Sequence, residues 1–364
     1  MIIGVPKEIK NNENRVGLNP NSVSQLIDAG HTILIETSAG QGIYATDEDY
    51  ITVGAEISMN AKHIFDKADM IIKVKEPQLS ETAMLRKGQI IFTYLHLAPD
   101  PIQAKGLMDS GCIAIAYETI TGENGKGLPL LQPMSEVAGR MAPMMGTFYG
   151  AKHFGGRGHL ISGVTGTDSN NVLILGGGVS GYEAAKIAAG MLANVIILEL
   201  NDDRIQWLND QLNDRVTAIK STPENLQKHL IDADMVIGAV LVPGGSAPKL
   251  ISRDMLKLMK PASIMIDIAI DQGGCFETSK ATTHADPIYQ VDGINHYCVA
   301  NMPGAYPLTS TAALNNVTLP YILDIANKGW ERALRERSGF KDGLNVKNGK
   351  IMHAAVADAL KGVA

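Results

Sequence analysis

The sequence predicts an α/β protein made of two doubly wound units, each with a parallel sheet. Three observations predict it. Short apolar runs alternate with helical patterns through the first third of the chain, the same alternation resumes after residue 170, and a glycine turn, Gly176-Gly-Gly178-Val-Ser-Gly181, stands between an apolar run and a helical one. A chain of 364 residues is long enough for roughly two domains, each with its own core.

Composition narrows the function classes. The hydrophobic and charged fractions are those of a soluble globular protein, and a net charge of -6 argues against nucleic acid or an anionic membrane as partner. The cysteines, Cys112, Cys275 and Cys298, lie far apart with no CxxC or Cys/His ligand spacing, so neither a disulfide framework nor a zinc site is expected. A reduced, cytoplasmic protein is the expectation. The opening MIIGVPKEIK lacks the apolar core of a signal peptide, and no run reaches the ~18 apolar residues of a spanning helix.

In order, the first unit offers strands at Ile2–Val5, Thr32–Glu36, Met70–Lys75, Gln89–Leu95 and Cys112–Tyr117, with helical patterns between them such as Ser22–Ala29, stopped by Gly30. Ligands of an open parallel sheet bind outside the carboxyl ends of its strands. Arg15 stands in the loop after the first predicted strand, Lys75 at the end of the third, His96 just past the fourth and Glu118 just past the fifth. Two cations, an imidazole and a carboxylate along one edge suit a small acid substrate. Arginine forks onto a carboxylate, lysine supplies a point charge to a carbonyl oxygen, and histidine moves protons near neutral pH. Plainer readings stand beside these: Arg15 as a solvated loop charge, Lys75 as a strand end before Glu76-Pro77, and His96 as a core histidine between Leu95 and Leu97.

A loop with Gly122, Gly125, Gly127 and Pro129 breaks the pattern and sets the first domain boundary, after residue 129. A helical run from Ser135 to about His153 follows, with Met141, Met144 and Met145 read as core filler. Ser135 is either its N-cap or a phosphate contact.

The glycine turn makes the second unit a Rossmann-like dinucleotide-binding domain. Val172 to Leu175 read as a strand, and the Ala-rich run after Gly181 reads as a helix leading to a second strand that ends in Glu199. Gly176 permits the sharp turn, Gly178 lets the backbone approach a pyrophosphate, and Gly181 lets helix and strand pack closely. The phosphates would sit on the N–H groups of the helix N-terminus. Glu199, ~20 residues past the turn, can accept from ribose hydroxyls and repel the extra phosphate of NADP, so NAD is the expected cofactor.

Further strands are expected near Val216–Ile219, Met235–Val240 and Ser263–Ile268. Asp267 reads as a structural partner within its strand, whereas Asp271 heads a Gln-Gly-Gly loop, either as a turn residue or as a carboxylate acting on water. After Asn301-Met-Pro-Gly304 comes a long helical stretch, Leu308 to Trp330, with a kink expected at Pro320. Glu331–Lys341 reads as solvated, Asn348-Gly349 as a hairpin turn, and His353 to Leu360 as a closing helix.

Seven blocks in order carry a resemblance: GVPKEIKNNENRVGLNP, IIKVKEP, TYLHLAP, LLQPMSEVAGRMA, the glycine turn, DIAIDQGGCFETS and YCVANMPGAYPLTST. Together they resemble the alanine dehydrogenases over essentially the whole chain. The resemblance implies NAD-dependent oxidative deamination of L-alanine to pyruvate and ammonia, with the reverse reductive amination, in a cytoplasmic homohexamer. It further implies a catalytic domain from residues 1–129 completed by the return segment 306–364, an NAD domain at 130–305, and long helices linking the two domains. By the same resemblance Arg15 binds the substrate carboxylate, Lys75 holds the substrate and polarises its carbonyl, His96 is the catalytic acid/base, and Asp271 handles the water and amine steps. Ser135, Gly178, Val179, Glu199, Arg204, Ser221, Val240, Leu241, Ile268, Asn301 and Met302 fall where the family contacts NAD, beside Gly176 and Gly181 of the turn and Asp271.

Two departures bear on these expectations. Position 199 is commonly Asp in the family, so Glu199 has a longer reach, and Arg204 beside it leaves weak NADP use open. The acid and histidine that bind a metal in some members are here Asp324 and Lys328, and no metal is expected with a lysine in that place. Two other classes share the scaffold: the nucleotide-binding component of a transhydrogenase, which would need neither His96 nor Asp271, and a non-catalytic interaction protein, which would have lost its strand-end charges. Within the enzymes, a dehydrogenase of the lysine or saccharopine type stays open, since spacing does not give pocket size.

Overall fold

A computed structural model of the chain describes residues 1–212, 214–240 and 247–361. The chain divides into two compact units, Met1–Met134 together with the segment from Pro303 onward, and the stretch between Ser135 and Met302. In chain order the first unit contributes β1 (Ile2–Val5), β2 (Thr32–Glu36), β3 (Glu56–Ser58), β4 (Met70–Ile72), β5 (Ile90–Thr93) and β6 (Ile113–Ala116). The second contributes β7 (Asn171–Leu175), β8 (Asn194–Glu199), β9 (Val216–Lys220), β10 (Met235–Gly238), β11 (Ile264–Asp267), β12 (Ile288–Val291) and β13 (Ile294–Tyr297). The return segment adds β14 (Leu344–Lys347) and β15 (Lys350–Ile351) to the first sheet.

Both sheets are wound the same way. The first runs β15-β14-β6-β5-β4-β1-β2-β3 and the second β12-β13-β11-β10-β7-β8-β9. Six parallel strands in each follow the doubly wound order, so each sheet has a switch point where the winding reverses: between β1 and β4 in the first, and between β7 and β10 in the second. Crevices for ligands open there.

The strands read as nearly unbroken Ile, Val and Leu because both sheet faces are covered. Ile33 and Ile35 join Ile3, Val5, Ile72 and Phe92 in one apolar layer, and Leu34 joins Ile71, Ile91 and Ala114 in the other. The second unit repeats the plan, with Val172 and Ile174 on one face and Leu173 and Leu175 on the other. Each such side chain, once buried, contributes about 1.5–3 kcal/mol, which fixes the register because a slip by one residue would exchange the faces.

Several elements differ from the sequence-based expectation. The edge strand β3 is three residues long, too short to carry a period. The first helix is Pro20–Asp28, starting earlier than Ser22, with Asn19 accepting from the Ser22 N–H and proline at the first helical position. The helix expected from Ser135 is Gln132–Tyr149, so Ser135 lies inside it and is not its N-cap. The long stretch after Asn301 is a helix, Pro307–Lys328, that contains Pro320 and is separated at Gly329 from a second helix, Trp330–Glu336. The segment 331–341, read as solvated, buries Ala333, Leu334 and Phe340 in the core of the first unit. The hairpin is as expected: Asn348 and Gly349, at φ 51° and 73°, join β14 to β15, and β14 pairs antiparallel with β6. No helix among the described residues is long and apolar enough to cross a membrane.

Candidate active site and nucleotide-binding turn

In the first unit, Arg15, Lys75, His96 and Glu118 follow β1, β4, β5 and β6, which are neighbours in that order across the sheet. Their backbones therefore line one carboxyl edge at the switch point. Arg15 is no solvated loop charge. It is only 3% exposed, and its Nε and Nη2 donate to the two carboxylate oxygens of Glu13 at 2.8 and 2.6 Å while Nη1 faces the Met134 sulfur at 3.0 Å. Burial by itself lowers the Arg15 pKa, but Glu13 outweighs it, and the guanidinium is held charged in a fixed plane.

Lys75 is buried past the end of β4 rather than within it. Its carbonyl accepts from the Thr93 hydroxyl at 2.9 Å, tying the β4 exit to β5. The preceding lysine ties this loop down. Lys73 is completely buried, its ammonium 2.9 Å from both Glu8 and Glu81, and Glu8 also accepts from the Val74 N–H at 2.6 Å. Glu76, beside Lys75, is ion-paired with Lys10. Burial pushes the Glu76 carboxyl up, but Lys75, Lys10 and His96 together outweigh it and hold the group below its ordinary value.

His96 occupies an unusual backbone position, φ +48°. Few residues other than glycine adopt the left-handed region. Glu118 supports the turn: one oxygen accepts from the His96 N–H at 2.7 Å, and both accept from the Leu95 N–H at 3.2 Å. The half-buried imidazole stacks on Tyr94, centroids 5.9 Å apart, and Tyr94 is anchored through its hydroxyl to the Leu130 carbonyl at 2.5 Å. His96 is thus neither a core histidine nor a loosely held one.

In the second unit the glycine turn follows β7, and its geometry fits a dinucleotide. Gly176 has φ 98°, and a side chain there would meet the Ala239 carbonyl at 2.9 Å. A Cβ at Gly181 would lie 1.9 Å from the Gly176 carbonyl oxygen, so helix and turn could not approach as they do. Gly178 is the N-cap of the helix Val179–Gly190, offers no side-chain cap, and faces open space. First-turn N–H groups are therefore left for a phosphate.

Glu199 ends β8 and is held by the glycine turn and by the two residues next in the chain, accepting from the N–H groups of Gly177, Leu200 and Asn201 at 2.8, 2.7 and 3.0 Å. Arg204 Nε donates to the Gly177 carbonyl at 2.7 Å, and its guanidinium lies 4.0 Å over the Trp207 ring. Burial lowers the Arg204 pKa. The Ser221 N–H donates to the Glu199 carbonyl at 2.8 Å, and Val240 packs beside Gly176 after β10. Ile268 and Asp271 stand in the short helix Ile268–Gln272 after β11, and Asn301 and Met302 follow β13. All of these residues follow carboxyl ends of parallel strands in one sheet. Met302 is 3% exposed within the core, Asn301 has φ 65°, and Ser135 sits in a helix rather than at a strand end. Leu241 lies outside the described residues.

Asp267 is completely buried and accepts from the N–H groups of Ala269 and Cys275 and from the Ser279 hydroxyl, which is the structural role expected of it. Asp271 is exposed. Asp324 is paired with Lys328 at 2.8 Å and Arg337 at 2.6 Å; burial pushes its carboxyl up, and the two cations outweigh that and hold it below the ordinary range.

Sequence reasoning missed Glu13, Glu8, Lys73, Glu81 and Glu76. The available signal was Lys73 itself, a lysine continuing the apolar run Met70-Ile-Ile, a position that a parallel strand keeps only for a paired charge.

Residues 4–138 match the model of the alanine dehydrogenase/PNT N-terminal domain, and residues 142–354 match that of the C-terminal domain. The chain belongs to the alanine dehydrogenase/PNT family. Alanine dehydrogenases of Halomonas elongata and Bacillus subtilis are each 51% identical to it, over 99% and 98% of this chain and 96% and 94% of theirs. A solved L-alanine dehydrogenase superposes with a TM-score of 0.93 at 46% identity, covering all of both chains. A solved transhydrogenase from Sinorhizobium meliloti has a TM-score of 0.80 at 22% identity, covering 98% of this chain and all of that one, and so shares the fold. Within the alanine dehydrogenase/PNT family, the doubly wound order of both sheets and the glycine turn after β7 are thus accounted for together.

Proposed function

We propose that the chain catalyses NAD-dependent oxidative deamination of L-alanine to pyruvate and ammonia, and the reverse reductive amination. Alanine dehydrogenase activity follows from relatives of that name half identical along the whole chain. One observation carries the residue-level reading: Arg15, Lys75 and His96 leave successive neighbouring strands at a switch point, with the His96 turn fixed by Glu118.

NAD is held by the backbone of Gly176, Gly178, Val179 and Gly181 and by Glu199, with Ser135, Arg204, Ser221, Val240, Leu241, Ile268, Asp271, Asn301 and Met302 as further contacts. When bound it supplies the hydride acceptor for the substrate α-carbon. Arg15, its plane fixed by Glu13, receives the carboxylate, and Lys75 holds the substrate and polarises the carbonyl of pyruvate. His96 takes and returns protons as water adds to the iminium and the carbinolamine collapses, and Asp271 serves the water and amine steps. The enzyme works as a cytoplasmic homohexamer, a state that sedimentation velocity tests.

Glu199 sets the cofactor preference. Three N–H groups hold its carboxylate, so it cannot swing aside for the 2′-phosphate of NADP. Glu199→Ala should raise the KM for NAD about tenfold or more, as expected for losing a hydrogen bond to a charged group worth about 1.5–3 kcal/mol. It should also narrow the gap between NAD and NADP. An unchanged KM with NADP still rejected would remove Glu199 from this role.

Near-ultraviolet absorbance of NADH tests the reaction. Signal is expected with L-alanine and NAD, and not with D-alanine, L-lysine or NADP. Silence with every amino acid, despite NADH binding, would favour a transhydrogenase-like component instead.

A further inference from the structure

Glu118 was singled out by its place at a strand end, yet the proposed reaction gives it no proton to move and no substrate group to hold. Its carboxylate is spent on the backbone. The N–H groups of Leu95 and His96, consecutive in the chain, converge on it at 2.7 to 3.2 Å. Consecutive N–H groups turned to one side form a concave anion site, and here the anion comes from the neighbouring strand, since β6 lies beside β5. The left-handed backbone of His96, φ +48°, begins at the second of these N–H groups, so the carboxylate holds the residue where the chain leaves the ordinary conformation. Backbone in this region is costly for a residue with a side chain, and persists only when its surroundings impose it.

We infer that Glu118 is the positioning residue of His96, its carboxylate clamping the Leu95 and His96 N–H groups so that the imidazole is aimed at the reacting atoms. This rests on the reading of His96 as the acid/base. Without the clamp, two half-buried N–H groups lose their acceptor and the turn relaxes toward an ordinary backbone conformation, carrying the imidazole with it. Stacking on Tyr94 fixes the ring's plane but not the position of its Cα, so Tyr94 cannot substitute. The substrate-holding cations leave other strands, β1 and β4, and stay where they are.

The inference separates kcat from KM. Glu118→Ala should lower kcat on the order of 10- to 100-fold, the scale of a misplacement of about 1 Å, with the KM values for alanine and NAD within about threefold of the parent. Glu118→Gln should recover most of kcat, because one oxygen of Glu118 already accepts from both N–H groups and an amide oxygen can do the same. Glu118→Asp, one methylene short, should fall between them, and it carries the test if the alanine variant does not fold. Turnover is expressed per NADH-binding site, measured by fluorescence titration, so that misfolded protein does not count as slow enzyme. Normal turnover per site in both the alanine and aspartate variants overturns the inference, as does a glutamine variant no better than alanine. His96→Ala run in parallel separates the two readings: if it retains turnover, the assignment of His96 is wrong, whereas an inactive His96→Ala beside a normal Glu118→Ala removes only the role of Glu118.

Discussion

His96→Ala is expected to cut turnover by about 10²–10⁴-fold while leaving substrate and cofactor binding close to the parent values. The magnitude is that of a general acid–base group, and the reaction asks for several proton transfers: water must lose one on adding to the iminium, and the amine must gain one before ammonia leaves. Binding should persist because the residues proposed to hold the carboxylate have their own supports. Arg15 is braced by Glu13 and the Lys75 loop by Glu8. Steady-state kinetics in both directions would show kcat and kcat/KM falling together with KM for alanine and pyruvate little changed, the pattern of an interaction made in the transition state alone. Near-normal turnover in this variant would transfer the proton work to another group and leave the His96 turn without its proposed purpose.

How much of this site was legible depended on whether the determining contacts were local. The glycine turn was legible because each of its residues answers a backbone requirement set within a few positions, such as φ 98° at Gly176 and the 1.9 Å clearance at Gly181. Strand ends were legible too, since apolar runs stop where side chains leave the sheet, and this brought Arg15, Lys75, His96 and Glu118 to one edge. Their supports were hidden. Lys73 finds Glu8 and Glu81, and the Arg337 that pairs with Asp324 comes from just past the end of the next helix, while Phe340 is buried although it stands in a largely polar and charged segment. Nothing in the local pattern around Glu331–Lys341 distinguishes a solvated helix from one that lays Ala333 and Leu334 on the core. The short edge strand β3 failed for a related reason: three residues give no period, and pairing with β2 alone defines it.

Lys73→Met should destabilise the first unit by about 3–5 kcal/mol, because it removes the cation and leaves two buried carboxylates facing each other. Glu8 and Glu81 each lie 2.9 Å from the Lys73 ammonium, and all three side chains are essentially closed to solvent. Methionine nearly fills the lysine volume, so a cavity contributes little and the loss is electrostatic. Burial by itself lowers the Lys73 pKa, but the two carboxylates outweigh it and raise it well above the ordinary lysine value. A raised pKa means the parent keeps this contribution in full below the unfolded lysine pKa of about 10.4 and loses it as pH rises beyond. In the variant the sign belongs to the carboxylates. Burial already raises the Glu8 carboxyl, and without the cation nothing offsets it, so the deficit should shrink in acid, where that carboxyl can protonate, and grow as pH rises toward neutrality. Urea unfolding followed through Trp330, which lies in the first unit, in a Trp207→Phe background would measure this at several pH values. Adding Glu8→Gln and Glu81→Gln to Lys73→Met should recover part of the loss, since neutral amides carry no unpaired charge. A deficit below about 1 kcal/mol at neutral pH would mean that water reaches the triad, and the anchoring attributed to the loop bearing Lys75 would then need another source.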